Sequence, residues 1–416
     1  MSSEALATFK PSLQVGVAPG PPADWREATL GDLFAVSTPG HWGDEPDGHG
    51  NIMVLRSTNF RKAGGLVYET AAPRQFDDRK LIQKRLLPGD IILERSGGSP
   101  AQPVGRARRF DAEGCYSASN FMQIMRAVDQ VDDWFACYLL DYIYDQGMTV
   151  PLQKATTGIR NLDFKTYLDL PVSTPPLDEQ RRIAEVLRSV DEAIAANRTA
   201  LDQVARGRAA ILHTAFEETL WEPVALGELG SWQSGGTPSK DDESKWGGDV
   251  PWVCPRDMKT PVIRQTHSTL TPLALGGSCK LAPRGTLMIV VRGMILAKAI
   301  PTATTAMDAT FNQDMKAFRP NGRALPKFVQ LCLQHQERQL LRVVNTATHG
   351  TKKLDTDTLL AVSVPLPDLK TQQALADAVS DLDFASVKYG EEHIRLSTIK
   401  QAMMSDLLSG RVRVPA

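Results

Sequence analysis

Two stretches of the chain place apolar side chains at steps that alternate four and three residues. The first runs through Ile183, Leu187, Val190, Ile194, Asn197, Leu201, Val204, Arg208, Ile211 and Ala215. The second runs through Leu375, Val379, Leu382, Ser386, Tyr389, His393, Leu396, Lys400, Met403 and Leu407. Sustained spacing near 3.5 residues predicts a coiled-coil seam rather than an ordinary surface helix. Each stretch follows a proline-bearing segment, Thr174-Pro-Pro176 or Pro365-Leu-Pro367, which stops the preceding structure. Two readings stand for the polar seam residues. Asn197, Arg208, Ser386, His393 and Lys400 can fix register at some cost in stability. Arg208 and Lys400 can equally lie near helix ends and reach for water, and this plainer reading is the expectation.

Ahead of each seam lies a mixed segment punctuated by Gly and Pro. It holds short apolar runs, Ile91-Ile-Leu93 and Leu287-Met-Ile-Val-Val291, which read as strands. Stretches of helical character follow at Trp134–Tyr144 and Pro326–Leu341. The two halves repeat. Trp25-Arg-Glu-Ala-Thr-Leu-Gly-Asp-Leu33 matches Trp221-Glu-Pro-Val-Ala-Leu-Gly-Glu-Leu229, and Trp42-Gly43 recurs as Trp246-Gly247. Pro88-Gly-Asp-Ile-Ile-Leu93 has a looser echo in Arg284-Gly-Thr-Leu-Met-Ile289. Gly158-Ile-Arg-Asn-Leu-Asp163 parallels Gly350-Thr-Lys-Lys-Leu-Asp355, and Leu177-Asp-Glu-Gln180 parallels Leu369-Lys-Thr-Gln372. The order is kept while the spacing drifts by a few residues, as expected of an internal duplication.

The expected fold is therefore α+β, a pseudo-two-fold repeat in which two globular heads alternate with two long helices paired as an antiparallel coiled coil. The expected boundaries are a flexible tail at residues 1–24, a first head at 25–176 and a first helix at 177–220. A second head follows at 221–367, then a second helix and tail at 368–416. A helix of about 39 residues spans roughly 58 Å at 1.5 Å per residue. One turn of B-DNA is about 34 Å. Heads held apart by such a ruler could touch two separated half-sites. Because the heads differ in sequence, the target should be asymmetric.

Composition narrows the class. The 416 residues are 42% hydrophobic and 23% charged, a globular balance, and the length calls for more than one structural unit. The formal net charge of −1 lacks the basic surplus of a domain that grips DNA alone. Basic groups must then cluster locally, or partners must supply phosphate contacts. Cys115, Cys137, Cys254, Cys279 and Cys332 include no pair at CxxC spacing, so neither a zinc site nor a disulfide framework is expected. No apolar run approaches a membrane span and the first residues carry no apolar signal, so a cytoplasmic location away from membranes is expected.

Several motifs carry a family resemblance. They are the opening Trp-x-x-x-x-Leu-Gly-(Asp/Glu)-Leu, the run Ser234-Gly-Gly-Thr-Pro-Ser239, and Trp246-Gly-Gly-Asp-Val-Pro-Trp252. Pro175-Pro-Leu-Asp-Glu-Gln-Arg-Arg-Ile183 and Met404-Ser-Asp-Leu-Leu-Ser-Gly-Arg-Val-Arg413 complete the set. In the first head, Ser37-Thr-Pro-Gly40 replaces the Gly-Gly-Thr-Pro run. From Trp25 onward the chain resembles the specificity subunits of type I restriction–modification systems, and its heads resemble target-recognition domains. The resemblance implies that each head reads one half of a bipartite site in double-stranded DNA. It implies two modification subunits that bring S-adenosylmethionine and adenine methylation, with restriction subunits, ATP and Mg as further expected company. It implies no cofactor or metal on this chain and no catalysis by it.

Base readout needs Arg, Lys, Asn, Gln, Ser or Thr on loops that reach groove edges, and phosphate contacts add basic groups. In the first head, Arg56, Ser57, Asn59 and Arg61 in Arg56-Ser-Thr-Asn-Phe-Arg-Lys62 fit that chemistry, with Arg256 and Lys259 near the corresponding place in the second. Lys154 and Arg160 pair with Lys352 and Lys353 on Gly-containing loops, and Arg95 pairs with Arg292 after a strand. Lys240 follows the Ser234–Ser239 run. The bland alternative is that these are solvated surface charges. Trp42, Trp246 and Trp252 are expected in small cores rather than stacked on bases.

Enzyme readings fare poorly. Asp90 and Glu94 have Thr286 and Val290 as counterparts, so they read as strand-edge residues rather than a catalytic pair. The seven histidines form no HExxH set, and neither a GxxxxGK[ST] loop nor an (Asn/Asp)-Pro-Pro-(Tyr/Phe) tetrapeptide occurs. The alternative from another class is a coiled-coil scaffold whose heads dock proteins.

The ruler reading yields a first prediction. Deleting one heptad from both helices, Ala195–Leu201 with Val387–His393, shortens the preferred spacer and spares both half-sites. Binding of the assembled complex to sites of graded spacer length checks this, and an unchanged optimum contradicts the ruler.

Overall fold

A computed structural model of the chain describes residues 22–61, 64–99, 102–156, 159–218, 220–347 and 350–414. Most of the expected tail lies outside the described residues, as do Lys62, Gly158, Thr348 and His349. The chain divides into two compact units that cut across both long helices. One contains the residues up to Arg198 and those from Glu391 onward, and the other spans Thr199–Gly390.

In the first unit, Ile91–Glu94 is an interior strand of a sheet ordered Phe34–Pro39, Met122–Ala127, Ile91–Glu94, Ala107–Arg109. All four residues of that strand are buried, as its unbroken apolar run requires. Its side chains alternate between faces. Ile91 and Leu93 pack with Phe135, Leu139 and Leu140 of the helix Asp133–Asp145, whereas Ile92 packs with Leu55, Phe60 and Phe110 on the other side. The opposite layer is a sheet with Ile52–Leu55 between Ala72–Arg74 and the parallel Tyr116–Ala118. Arg26–Thr29 pairs antiparallel with Pro171–Thr174 at the start of the first long helix.

The second unit repeats this plan. Its interior strand Leu287–Val290 is again buried throughout, between Met315–Pro320 and Thr302–Thr305. Trp246–Val253 lies between Ser268–Leu270 and the parallel Thr310–Phe311, and Pro223–Ala225 pairs with Ser363–Pro365. One addition is Val262–Ile263, paired parallel with Thr302–Thr305. The stretch expected to be helical over Pro326–Leu341 breaks into Pro326–His335 and Glu337–Arg342, with the Gln336 amide donating to Ser363 O at 2.7 Å.

The long helices are Leu177–His213 and Leu369–Leu408. Within each unit they run antiparallel. In the first, Ile183, Ala184 and Leu187 pack with Met404, Leu407 and Leu408, all against the core of the head. In the second, Leu212 and Val379 pack with Leu331, and Leu375 joins the head's core. Val190, Leu201, Val204, Leu382, Leu396 and Met403 are half-buried, and Ile194 is buried. Tyr389, expected in the seam, is exposed.

Arg208 and Lys400 do not reach for water. Arg208 Nε donates to Asp383 Oδ1 at 2.8 Å, and Lys400 Nζ lies 2.7 Å from Asp191 Oδ1. Each pair joins the two helices, and the pairs are repeat counterparts of one another with the helices exchanged. Arg208 also donates to Gln334 Oε1, and Tyr138 OH donates to Asp191 Oδ2.

A second contact recurs in both units. Gln180 Oε1 accepts from Asp132 N at 2.9 Å while its Nε2 donates to Gln130 O and Pro175 O. Gln372 Oε1 accepts from Leu325 N at 2.8 Å while its Nε2 donates to Arg323 O and Pro367 O. Both amides are buried, and each ties the first turn of a long helix to the N-terminus of the head's helix. Replacing either with leucine strands one backbone N–H and two carbonyls. At about 1–3 kcal/mol for a buried group left unpaired, Gln372→Leu should cost at least about 2 kcal/mol. Chemical denaturation checks this, with the exposed neighbour variant Gln373→Leu expected to change little.

Candidate nucleic-acid interface

Two of the three nominated loop pairs converge in each head. After the interior strand Ile91–Glu94, the chain continues through Arg95 into Ser96–Gly97, which pairs with Ile159–Leu162. That segment in turn pairs with Gln153–Thr156, so Lys154 and Arg160 share one small three-stranded sheet, and Arg95 O, next to its third strand, accepts from Leu162 N at 2.9 Å. Ser96 Oγ donates to Asn161 Oδ1 at 2.7 Å across it. Arg95 is half-buried, donating to Gln123 Oε1 at 3.3 Å. Lys154 is exposed and bonds Asp163 Oδ2 at 2.6 Å.

The second head builds the same corner. Its arginine is offset by one residue from the expected match: Val291 directly follows the strand Leu287–Val290 and takes the place of Arg95, whereas Arg292, bridged to Lys353, takes the place of Ser96, and Gly293 N donates to Lys352 O at 3.0 Å. Lys352–Lys353 pairs with Asn345–Thr346. Lys352 Nζ donates to Thr346 Oγ1 at 2.8 Å, and Lys353 Nζ lies 2.6 Å from Asp355 Oδ1. Asp163 and Asp355 are repeat counterparts, and the bonded lysine holds each carboxyl below its usual range. Each aspartate precedes a short helix, Phe164–Leu168 or Thr356–Leu360, which fixes the hairpin to the head. Arg292 is exposed, while Arg160, Lys352 and Lys353 are half-buried.

The third loop pair follows the central strand of the smaller sheet. Ser57–Asn59 and Pro255–Asp257 are matching 3-10 turns. In one, Arg56 N donates to Asn59 Oδ1 at 2.8 Å; in the other, Cys254 N donates to Asp257 Oδ2 at 2.9 Å. Asn59 therefore corresponds to Asp257, and Thr58 to Arg256. Asn59 is fully buried and its Nδ2 donates to Val67 O and Thr70 Oγ1, so it holds the turn and does not face a groove. Arg56 Nη2 donates to Thr70 O, and its guanidinium sits 5.5 Å from the Trp42 ring, which Arg74 covers at 4.1 Å. Ser57 is half-buried and Arg61 exposed.

In the second head Arg256 is exposed, donates to Ser268 Oγ at 2.7 Å, and stands between two clefts. One, of about 940 Å³, is lined by Lys259, Arg264, His267 and Lys327 with Asp383 and Phe384. The other, of about 560 Å³, brings Lys240 together with Trp246, Trp252 and Asn312. Burial lowers the pKa of the Lys327 ammonium. Sequence reasoning missed Arg264 and Lys327. The basic character of the loop after Lys259 was a usable signal for the first; nothing in the sequence pointed to the second.

The tryptophans pack. Trp252 is buried with Nε1 donating to Gly236 O, Trp246 meets it edge-on at 5.2 Å, and Trp42 lies against Ile52, Val54 and Phe76. Asp90 and Glu94 are not on a strand edge, since they flank and end an interior strand. Both are buried, and each takes a guanidinium in a two-bond clasp, Arg126 on Asp90 and Arg106 on Glu94. The five cysteines are free. Among the described residues no His, Cys, Asp and Glu group could hold a metal ion, and no helix is long and apolar enough to cross a membrane.

Each head thus carries a basic hairpin paired with the turn that ends its interior strand. Residues 22–206 and 218–393 match the family model of the type I restriction modification DNA specificity domain, and the chain belongs to that family. It is 30% identical over 258 residues to the specificity subunit of the type I restriction enzyme EcoR124I/EcoR124II of Escherichia coli. That match covers 59% of this chain and 63% of the relative's length. It is 18% identical over 420 residues to the putative type I restriction enzyme MjaX specificity subunit of Methanocaldococcus jannaschii, covering 94% of this chain and 95% of that one. The fold is similar to the crystal structure of a type I restriction-modification system S subunit from M. genitalium. The TM-score is 0.60 at 16% identity, over 94% of this chain and 97% of that one.

Proposed function

We propose that this chain is the DNA sequence-recognition subunit of a type I restriction–modification complex, each head reading one half of an asymmetric bipartite site. The observation that carries this reading is the corner built twice. In each head a strand-end turn that carries one arginine, Arg95-Ser96 or Val291-Arg292, pairs backbone to backbone with a lysine-bearing hairpin, and the two heads share this frame while differing in side chains. A shared frame sets how each head approaches the duplex. Different side chains on it set which bases are accepted.

The division of labour follows from the chemistry. Exposed lysines and arginines neutralise phosphates and give affinity that falls with salt. Arginines that reach base edges give discrimination, about 1–3 kcal/mol for a good bidentate contact. With a net charge of −1, the chain has no surplus of cations, so modification subunits closing on the duplex complete the phosphate contacts. Those subunits carry S-adenosylmethionine and the adenine chemistry. Restriction subunits with ATP and Mg are further partners. No reaction step falls to this chain.

The test is methylome sequencing of cells expressing the modification subunit with and without this chain. Adenine methylation at one split, asymmetric motif should appear only when the chain is present; the absence of any dependent split motif contradicts the reading. Arg256→Ala with Lys259→Ala should disturb the second half-site alone, with about tenfold weaker discrimination there. Equal loss at both half-sites contradicts the two-head assignment.

A further inference from the structure

Each head exposes large apolar side chains at the same corner that gathers its basic groups. In the first head these are Phe121, 48% exposed, and Ile159, 42% exposed. Phe121 O accepts from Arg95 N and Ser96 N, and Ile159 begins the strand that carries Arg160. In the second head they are Met294, 64% exposed, and Ile295, 41% exposed. Both lie on the short helix Met294–Ala297, which packs on Lys352–Lys353 directly after Arg292. Leu296 of that helix is buried in the core, so its neighbours are held outward by an anchored turn. Gly293, at φ +134°, makes the bend that permits it.

Single exposed apolar residues on a surface are ordinary. These lie beside the same backbone corner in each head, next to cations in the chain, and the two heads supply them from different elements. The position of Phe121 is taken in the second head by Asp314, whose carbonyl accepts from Val291 N and Arg292 N in the same way. The frame is thus repeated while the apolar group has been moved from one loop to another. Packing does not account for that pattern, since the side chains face outward. A surface that reads different sequences through one frame does account for it.

The major groove offers one apolar feature on its base edges, the C5-methyl group of thymine. We propose that Phe121 and Ile159 in the first head, and Met294 and Ile295 in the second, recognise thymine methyl groups in the half-site each head reads. This rests on the DNA-reading function proposed above. The cations beside them bring the duplex to the corner; the apolar groups then favour thymine over bases that lack the methyl.

The test uses the full chain assembled with its modification subunits and a library randomised over both half-sites. Met294→Ser with Ile295→Ser should lower the preference for thymine at one or two positions of the second half-site by about tenfold, typical of one mismatch. The first half-site and the salt dependence of binding should not change, and thermal melting should match the parent. Deoxyuridine at those thymines should weaken the parent complex by the same factor and the variant no further. Phe121→Ser with Ile159→Ser should act likewise on the first half-site alone. Equal affinity of the parent for thymine and uracil, a half-site with no preferred thymine, or a loss uniform across sequences overturns the proposal. A parent complex with no half-site preference at all fails the DNA-reading function instead, so the two failures are distinguishable.

Discussion

Neither head closes its core alone. The first buries Ile183 and Leu187 from one long helix together with Met404, Leu407 and Leu408 from the other. The second has half-buried Leu375 packed against its core and seats Leu212 and Val379 against Leu331. Each helix therefore serves two interfaces along one stripe, its partner helix and a head. Burying a leucine-sized side chain is worth about 1.5–3 kcal/mol. A helix that drifted out of register would forfeit several such contacts together, which makes register the constraint on which everything else stands.

Polar contacts at fixed repeat positions define that register. Asp191 with Lys400 and Arg208 with Asp383 are one contact made twice, with donor and acceptor helices exchanged. Removing one partner would leave a half-buried charge beside apolar neighbours, a larger loss than the pair's own attraction. The buried amides of Gln180 and Gln372 do the same for direction, since three bonds from one side chain fix where each helix leaves its head. Within each unit, these contacts tie both long helices to the head that carries the basic corner.

Much of this was legible in the sequence. The seam showed through its period and the duplication through ordered motifs, whereas the meeting of the Arg95 turn with the Lys154 loop emerged only from the strand pairing. What escaped notice depended on facing partners. A charge in a seam reads as an end effect until an opposite charge is found across from it. The signal existed, because Asp191 and Asp383 are also repeat counterparts, each one residue past a seam position. Asn59 looked like a base reader because loop asparagines often are; its burial follows from a turn that needs an acceptor at that position, a role Asp257 fills in the other half. Asp90 and Glu94 looked like strand-edge residues because their arginine partners lie far along the chain, at Arg126 and Arg106.

The first unit is discontinuous in the chain. Its last pieces include Met404 and Leu407 in the core, and Arg413, which bonds both Glu179 and Asp24. During synthesis these residues leave the ribosome after the whole of Thr199–Gly390 has done so. The nascent first head must wait with the Ile183–Leu187 face uncovered, while the second unit, contiguous in sequence, can close as soon as it emerges. Order of assembly is thus the reverse of order of translation, and a stop codon ahead of Met404 would cripple the half of the molecule that was made first.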